Sequence, residues 1–273
     1  MKYTNPVISG FNPDPSICKV GGDYYLATST FEYFPGLAIY HSTDLVNWEH
    51  ISNAITRQSQ LHYEKATASG GMWAPTIRHN NGRFYITATF MDYGNFIITT
   101  DDIYGEWSDP VQIEMDGIDP TILFDGDKMY YCTNDFGSRM KNYGTEGVSV
   151  AEMKPDTFEI IGDIKRVWEG AGGGWLEGPH IYHIGEWYYI LAAEGGTGVR
   201  HMEVAARSSC KTKYSDRKGI QIHRRQMGAG VDVYKGQTGK VYHARRWQAG
   251  FASVGCKAYR QIRNTVICRC ASE

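Results

Sequence analysis

Four stretches of the sequence share one pattern: GGDYYLATST (21–30), NGRFYITATF (81–90), GDKMYYCTND (126–135) and GEWYYILAAE (185–194). In each, glycine and a polar residue precede a run of aromatic and β-branched residues. This is the pattern of a tight turn followed by a β-strand. Helical periodicity is scarce around these stretches, so the sequence favours an all-β protein.

The four stretches recur at a regular distance. When Tyr25, Tyr85, Tyr130 and Tyr188 are taken as equivalent, the spacings are 60, 45 and 58 residues, and a weaker copy, GKVYHARR, places Tyr242 a further 54 residues on. Repeats of about 40–50 residues that hold several short strands are typical of β-propellers. The alternative is that these phrases are only common hairpin chemistry. The spacing predicts a five-bladed β-propeller.

Carboxylates recur at one position of this repeat. The residues 11 positions before the five reference tyrosines are Asp14, Ala74, Asp119, Glu177 and Val231. The first strand of each propeller blade lines the central channel, so residues at one repeat position surround one axis. The repeat therefore predicts that the three acids converge at one mouth of the channel.

Each acid also has a structural interpretation, because aspartate before proline is a common turn former and Glu177 in LEGPH could simply bond a loop amide. Three carboxylates at one repeat position are harder to explain in that way, since like charges brought together destabilise one another unless a substrate, metal or proton uses them. No DxDxDG-type loop supplies calcium ligands. Glycoside hydrolysis fits better, because it needs one ionised and one protonated carboxyl beside a sugar. Trp73, Phe31 and Phe34 could stack on sugar rings or pack between blades.

Seven motifs together resemble glycoside hydrolase family 43, the β-xylosidases and α-L-arabinofuranosidases. The resemblance runs from about residue 3 to residue 208. Its motifs, in chain order, are NPDPS around Asp14, STFEYFPG, HSTDLVNW (41–48), GGMWAPT (70–76), IDPT around Asp119, LEGPH around Glu177 and AEGGT (193–197).

The resemblance implies an inverting mechanism on xylose or arabinose units of hemicellulose. Asp14 would be the general base, Glu177 the general acid, and Asp119 would raise the pKa of the acid and orient it. An inverting enzyme separates base and acid by roughly 6.5–9.5 Å, a gap more natural between blades than within one. Other positions that match the family's sugar pocket are Phe31, Trp73 and Thr197.

The chain of 273 residues is 42% apolar, which excludes disorder, but its charge is divided unevenly. Residues 1–206 contain 13 Lys and Arg against 27 Asp and Glu, a net −14, whereas residues 207–273 contain 15 against 3, a net +12. We therefore divide the chain into blades 1–4 with the catalytic acids (1–208) and a basic tail (209–273). The tail stands where the fifth blade should be, so that blade is expected to be incomplete or aberrant.

The tail also lacks the family's Gly-His-Ala-Asp motif, whose nearest counterpart is GAGVD at 228–232. In the family that histidine often helps hold an axial Ca²⁺, so the calcium is in doubt here. The cysteines form no CxxC pair, which makes a zinc site improbable. We expect no cofactor and no metal.

Three interpretations of the tail compete. It is an extension that binds nucleic acid or another anionic polymer, a solvated and divergent fifth blade, or a segment translated partly in a shifted reading frame, which we favour. Back-translation of GQTGKVYHARRWQ (236–248), read one nucleotide later, permits a hydrophobic strand of the kind that a fifth blade needs. Because an unclosed ring leaves strand edges exposed, we expect poor stability and weak or absent activity.

The N-terminus has no signal-peptide pattern, and no apolar run reaches 18 residues, so the sequence predicts a cytoplasmic protein without a membrane partner. The tail's basic residues match no nucleic-acid motif, so we expect no nucleic-acid partner. The expected partner is a xylo- or arabino-oligosaccharide. Alternatives are a non-catalytic sugar-binding propeller, an inactive truncated enzyme and a retaining fructan hydrolase. The choice between xylose and arabinofuranose, and the oligomeric state, stay open.

Overall fold

A computed structural model describes residues 3–135, 147–197 and 200–209 in full, together with the backbone of five later strands. The described residues form β-strands joined by turns and loops, apart from one 3-10 turn at Tyr63–Lys65. Within these ranges no helix has the length and apolar character that a membrane crossing requires. The all-β prediction is confirmed.

Sixteen strands form four antiparallel sheets, which we call blades 1 to 4, and in each the strands follow one another in chain order. Blade 1 contains β1 (Ser16–Val20), β2 (Asp23–Thr28), β3 (Gly36–Ser42) and β4 (Glu49–Ile55). Blade 2 contains β5 (Thr76–Asn80), β6 (Arg83–Phe90), β7 (Gly94–Thr100) and β8 (Val111–Gln112). Blade 3 contains β9 (Ile118–Asp125), β10 (Lys128–Asp135), β11 (Gly147–Met153) and β12 (Ile160–Trp168). Blade 4 contains β13 (Glu177–Ile184), β14 (Trp187–Glu194), β15 (Met202–Ser208) and β16 (His223–Gln226).

The first strands of the blades pack side by side, β1 on β5, β5 on β9 and β9 on β13, which is the arrangement of a propeller around its axis. The fourth strand of blade 4 comes from the tail, because β16 pairs with β15. Four further strands form two separate hairpins: β17 (Asp232–Lys235) with β18 (Val241–Ala244), and β19 (Cys256–Ile262) with β20 (Thr265–Cys270). Four blades are thus described, and the predicted fifth falls mostly on residues outside the described ranges.

Apolar side chains fill the spaces between neighbouring blades. Blades 1 and 2 share a cluster that includes Leu37, Ile39, Ile86 and Phe96, all fully buried. A second cluster joins blades 2 and 3, and a third joins blades 3 and 4. Because strand side chains alternate between the two faces of a sheet, each central blade contributes to both of its neighbours.

The first hairpin of each blade shows which tyrosines are structurally equivalent. Tyr25, Tyr85 and Tyr130 are each the third residue of the strand that follows a two-residue turn, whereas in blade 4 the third residue is Tyr189. The predicted equivalence of Tyr188 is wrong by one residue, because two adjacent tyrosines satisfy the same aromatic pattern.

With this alignment, the residue of blade 4 that is equivalent to Asp14 and Asp119 is one position after Glu177. Asp14 and Asp119 both lie six residues before the end of the first strand of their blade, and the residue at that distance in blade 4 is Gly178. Glu177 precedes it by one residue. A register shift between Glu177 and His180 marks an irregularity of the β-bulge type in this hairpin.

Candidate active site

Asp14 lies just before β1 in a left-handed backbone conformation, with φ 51°. Its carboxylate accepts a hydrogen bond from the fully buried hydroxyl of Ser29 at 2.7 Å, and the Ser29 amide donates to the Pro13 carbonyl at 3.1 Å. Ser29 follows β2, so the first hairpin of blade 1 holds the carboxylate from the neighbouring strand.

Asp119 occupies the same position in blade 3 and has nearly the same conformation, with φ 52°. Its carboxyl accepts a hydrogen bond of 2.9 Å from the backbone amide of Gly178 in blade 4. Gly178 is itself left-handed, with φ 58°. The contact joins the first strands of two neighbouring blades at the position where both enter the site.

Glu177 is the first residue of β13, and burial raises the pKa of its carboxyl. The charge of His201 acts against this rise, and that of Asp14 adds to it. His201 also lowers the pKa of Asp14, so this one imidazole lies within electrostatic reach of both acids. The Nδ1 atom of His201 lies 2.8 Å from the carbonyl oxygen of Gly196, which anchors the ring.

The three carboxyls form one electrostatically coupled cluster. Burial, together with the charges of Asp14 and Glu177, raises the pKa of Asp119 to about 8, against the Gly178 hydrogen bond. Burial also raises the pKa of Asp14, although its side chain stays exposed. Asp14 is therefore open to solvent on one side and surrounded by protein on the others. At neutral pH the cluster retains a proton, and its titration belongs to the group as a whole.

This charge distribution modifies the role predicted for Asp119. The sequence suggests that a charged Asp119 raises the pKa of Glu177. In the structure the pKa of Asp119 is itself raised to about 8, the pKa of Glu177 is raised by burial and by Asp14, and the retained proton is shared within the cluster. The physical reason is that Asp119 is buried and that the charges of Asp14 and Glu177 oppose its ionisation, while the hydrogen bond from the Gly178 amide acts in the opposite direction.

A buried carboxylate supports the loop before Glu177. Glu194, which is 1% exposed, accepts hydrogen bonds from the backbone amides of Ala171 and Gly173, the latter at 2.8 Å. A Cβ atom at Gly170 would lie 2.1 Å from the Glu194 carboxylate, so only glycine fits there. The loop that leads into β13 is thus closed around the end of β14.

Phe31 and Trp73, predicted to shape the sugar pocket, lie on segments that are joined directly. Phe31 and Met72 exchange two backbone hydrogen bonds of 2.9 Å, and Trp73 follows Met72. The Trp73 indole donates to the Ser69 carbonyl at 3.2 Å, and both aromatic side chains are half-buried. Gly71 allows this contact, since a Cβ atom there would lie 2.4 Å from the Phe31 carbonyl oxygen.

Exposed aromatic rings extend this surface. Phe11, three residues before Asp14, is 52% exposed and lies 5.7 Å from Phe31 and 5.6 Å from Tyr33, measured between ring centroids. Phe34 instead packs against the Tyr63 ring at 5.4 Å. Thr197, the third predicted pocket residue, is exposed and lies next to Gly196, the carbonyl partner of His201.

Sequence reasoning missed Ser29, His201, Glu194 and Phe11. Ser29 and His201 carry no repeat signal, and Glu194 belongs to the AEGGT motif without having been singled out. Phe11 could have been found from its place three residues before Asp14. No three His, Cys, Asp or Glu side chains of the described residues are grouped to hold a metal ion, and residues 228–231 of GAGVD lie outside those residues.

The fold and the site define a class of protein: a β-propeller with three electrostatically coupled carboxyls at the starts of the first strands of blades 1, 3 and 4, which is the chemistry that glycoside hydrolases use. The chain belongs to glycosyl hydrolases family 43, whose family model matches residues 3–270. This confirms the family resemblance, and the match continues past residue 208 through the tail.

Relatives carry both activities named for the family. The chain is 41% identical over 218 residues to a beta-xylosidase of Bacillus subtilis, a match that covers 77% of this chain and 41% of that protein. It is 46% identical over 213 residues to the non-reducing end alpha-L-arabinofuranosidase BoGH43B of Bacteroides ovatus, covering 76% and 38%. The crystal structure of a xylan beta-1,4-xylosidase from Bacillus halodurans superposes with a TM-score of 0.76 at 32% identity, covering 93% of this chain and 53% of that one. The chain therefore spans about two fifths of the length of these two curated relatives.

Proposed function

We propose that the protein is an inverting glycoside hydrolase that removes terminal xylose or arabinofuranose units from xylan and arabinoxylan oligosaccharides. The observation that carries the proposal is the coupled cluster of Asp14, Asp119 and Glu177, in which burial and mutual repulsion retain a proton at neutral pH. Such a cluster can supply both a general acid and a general base.

In the proposed mechanism Asp14 is the general base. The Ser29 hydroxyl orients its carboxylate, and its exposed side gives access to the water that attacks the anomeric carbon. Glu177 is the general acid, which donates its proton to the glycosidic oxygen as the C–O bond breaks. The water loses a proton to Asp14 as the new C–O bond forms, so the anomeric configuration is inverted.

Asp119 positions the site and keeps the proton within it. It accepts the Gly178 amide, which fixes the start of β13 beside Glu177. Its raised pKa keeps the shared proton in the cluster, from which Glu177 must be protonated at the moment of catalysis. Phe31, Trp73 and Thr197 would line the sugar site, and Phe11 would extend the aromatic surface next to Phe31.

The architecture that we propose is five-bladed. Residues 1–208 form blades 1–4 apart from β16. Residues 209–273 supply β16, and the rest of this tail stands in place of an ordinary fifth blade. We retain the shifted reading frame as the explanation of the tail, together with a cytoplasmic location and a mechanism that needs no cofactor. Sequencing the coding DNA tests the frame directly: an uninterrupted frame shared by close relatives would contradict it.

A paired assay tests the function. We expect the purified chain to release sugar only weakly, because of its aberrant fifth blade, from an aryl β-xyloside or an aryl α-arabinofuranoside, and the preferred substrate identifies the sugar. The product's anomeric form, followed by NMR immediately after cleavage, must be inverted. Asp14→Asn should abolish the release, and Glu177→Gln should lower it on a substrate with a poor leaving group, whereas Glu186→Gln, a change at an exposed turn residue of blade 4, should do neither. Binding of the sugars without cleavage by the intact chain would instead support a non-catalytic binding propeller.

A further inference from the structure

A cavity of about 530 Å³ lies between blades 2 and 3. Its lining includes the hairpin turns at Asn81 and Asp127, which end the first strands of these blades. Asp119 lies at the opposite end of β9. The cavity is therefore separate from the carboxyl cluster and has the volume of a small-molecule site.

The corresponding spaces at the neighbouring blade junctions are filled. Between blades 1 and 2, the Phe84 ring packs against Tyr25 at 5.1 Å and against His79 at 4.6 Å. Between blades 3 and 4, the rings of His183 and Tyr188 stack at 4.1 Å. Both groups of that stack also contact the Asp125 carboxylate, at 2.7 and 2.8 Å.

The hairpin register explains why the middle junction stays open. Phe84 and Tyr188 are each the second residue of their strand, and the second residue of β10 is Met129. Met129 is fully buried in the core between blades 2 and 3, and its unbranched side chain replaces a ring. The space that a ring fills at the other two junctions is left to the cavity.

The cavity combines aromatic surfaces with oxygen acceptors. Tyr85, Phe124 and Phe158 are half-buried and form one aromatic group, with centroid distances from Tyr85 of 4.9 and 6.4 Å. The exposed carboxylates of Asp127 and Asp156 stand at its rim. Rings that meet apolar C–H faces, beside acceptors for hydroxyl groups, are what a sugar requires.

The cations of the lining are already paired with carboxylates. Arg83 holds Asp101 through two hydrogen bonds of 2.6 and 3.1 Å, and Lys128 holds Glu152 at 2.7 Å. Their charge is therefore neutralised locally, which favours a ligand with hydroxyl donors over an anionic ligand.

We propose that this cavity is a second carbohydrate-binding site, which holds a neutral pentose unit of a hemicellulose chain against Tyr85, Phe124 and Phe158. The inference rests on the proposed function for its substrate class. A long chain bound there is retained on the protein while its ends are presented to the carboxyl cluster of the same or another molecule, and short aryl glycosides do not use the site.

Affinity electrophoresis in native gels that contain soluble arabinoxylan tests the site. We use the full chain with Glu177→Gln so that no polymer is cleaved, and add either Asp127→Ala or Phe158→Ala. Each is expected to weaken binding about tenfold, the effect of losing one hydrogen bond to a charged group or one ring contact. The matched control is Glu186→Ala, because Glu186 holds the same turn position in blade 4 as Asp127 does in blade 3.

In the chain with Glu177 intact, Asp127→Ala should leave kcat/KM on an aryl glycoside unchanged and lower it on arabinoxylan. Retardation equal to that of the control in both cavity variants, or no retardation of any variant, would overturn the proposal. If Phe158→Ala melts early, Asp127→Ala decides alone, because its side chain is exposed. A chain that binds arabinoxylan through the cavity but cleaves no aryl glycoside would contradict the proposed function and leave the second site standing.

Discussion

Blades 1 and 3 begin differently from blade 4. In the first two, an aspartate in left-handed conformation precedes a proline, Asp14 with φ 51° and Asp119 with φ 52°. In blade 4 the residue before the proline is Gly178, with φ 58°, and the acid precedes it. The backbone turn is therefore repeated, and the side chain that it carries is not.

This difference separates the functions of the three strands. A Cβ atom at Gly178 would meet no atom within 4 Å, so blade 4 leaves space where blades 1 and 3 place a carboxyl. The Gly178 amide donates to Asp119, and Glu177 supplies the acid from outside the repeat position. The propeller repeat provides the frame, and a one-residue irregularity gives Glu177 an environment unlike that of its neighbours.

Replacement of the acids themselves is expected to have the largest effect on activity. We expect Glu177→Gln and Asp14→Asn each to lower kcat about 10³-fold, because each removes one proton-transfer group. Assays on an aryl glycoside with a good leaving group distinguish the two roles. The leaving group of such a substrate needs little protonation. The substrate should therefore restore much of the activity of Glu177→Gln and little of that of Asp14→Asn. Equal recovery of both variants would contradict the assignment of acid and base.

Restoring the repeat in blade 4 is the next test. Gly178→Asp would place a fourth carboxyl next in sequence to Glu177 and on the residue whose amide binds Asp119, whereas Gly178→Asn adds nearly the same volume without charge. Both tolerate the left-handed backbone better than other residues do. At pH 9 we expect the aspartate variant to be less stable than the asparagine variant by about 1 to 4 kcal/mol, from repulsion at short range. Equal denaturant midpoints would show that position 178 does not face the cluster.

The success and failure of the sequence-based prediction follow from the same comparison. The sequence repeat locates Asp14 and Asp119, because the strand pattern, the two-residue turn and the proline recur at a fixed distance from each aspartate. The repeat also reaches Glu177, because two one-residue offsets cancel: the aromatic pattern selects Tyr188 in place of Tyr189, and the irregular hairpin of blade 4 places the acid one residue before the repeat position.

Long-range contacts of this site leave no pattern in the sequence. Ser29 binds Asp14 through a tertiary hydrogen bond and His201 acts on the acids electrostatically, and neither strand alternation nor spacing encodes such interactions. The cavity between blades 2 and 3 depends on a single ring replaced by Met129, which becomes visible only when the hairpins are aligned by their turns.

Asp119→Asn should change how the stability of the protein depends on pH. The pKa of Asp119 is raised in the folded protein to about 8, so the carboxyl's contribution to stability is present at acid pH and is lost as pH rises toward 8. The variant should match the wild type near pH 4 and exceed it above pH 8, by on the order of 2 kcal/mol once solvent screening is allowed for. Thermal melts across this range give the difference directly.

The activity of the same variant tests how the proton is shared. In the wild type kcat/KM should fall as pH rises through about 8, because the cluster loses the proton that the acid must donate. Asparagine carries no negative charge, so electrostatic repulsion from position 119 no longer favours the protonated form of Glu177. The alkaline limb of the Asp119→Asn profile should therefore move to lower pH. A limb that does not move would show that Asp119 and Glu177 titrate independently.

Ser29→Ala is expected to have the smallest effect, because it leaves every acid in place. The hydroxyl donates one hydrogen bond to Asp14, which lowers the pKa of that carboxyl against the larger effect of burial. Its loss should raise the pKa of Asp14, so the acid limb of the kcat/KM profile moves to higher pH and the rate at neutral pH falls by about tenfold at most. Asp119 lacks a serine partner and accepts the Gly178 amide instead, so the alkaline limb should stay where it is. A variant in which both limbs shift together would mean that Ser29 supports the whole cluster, and that blades 1 and 3 do not hold their aspartates independently.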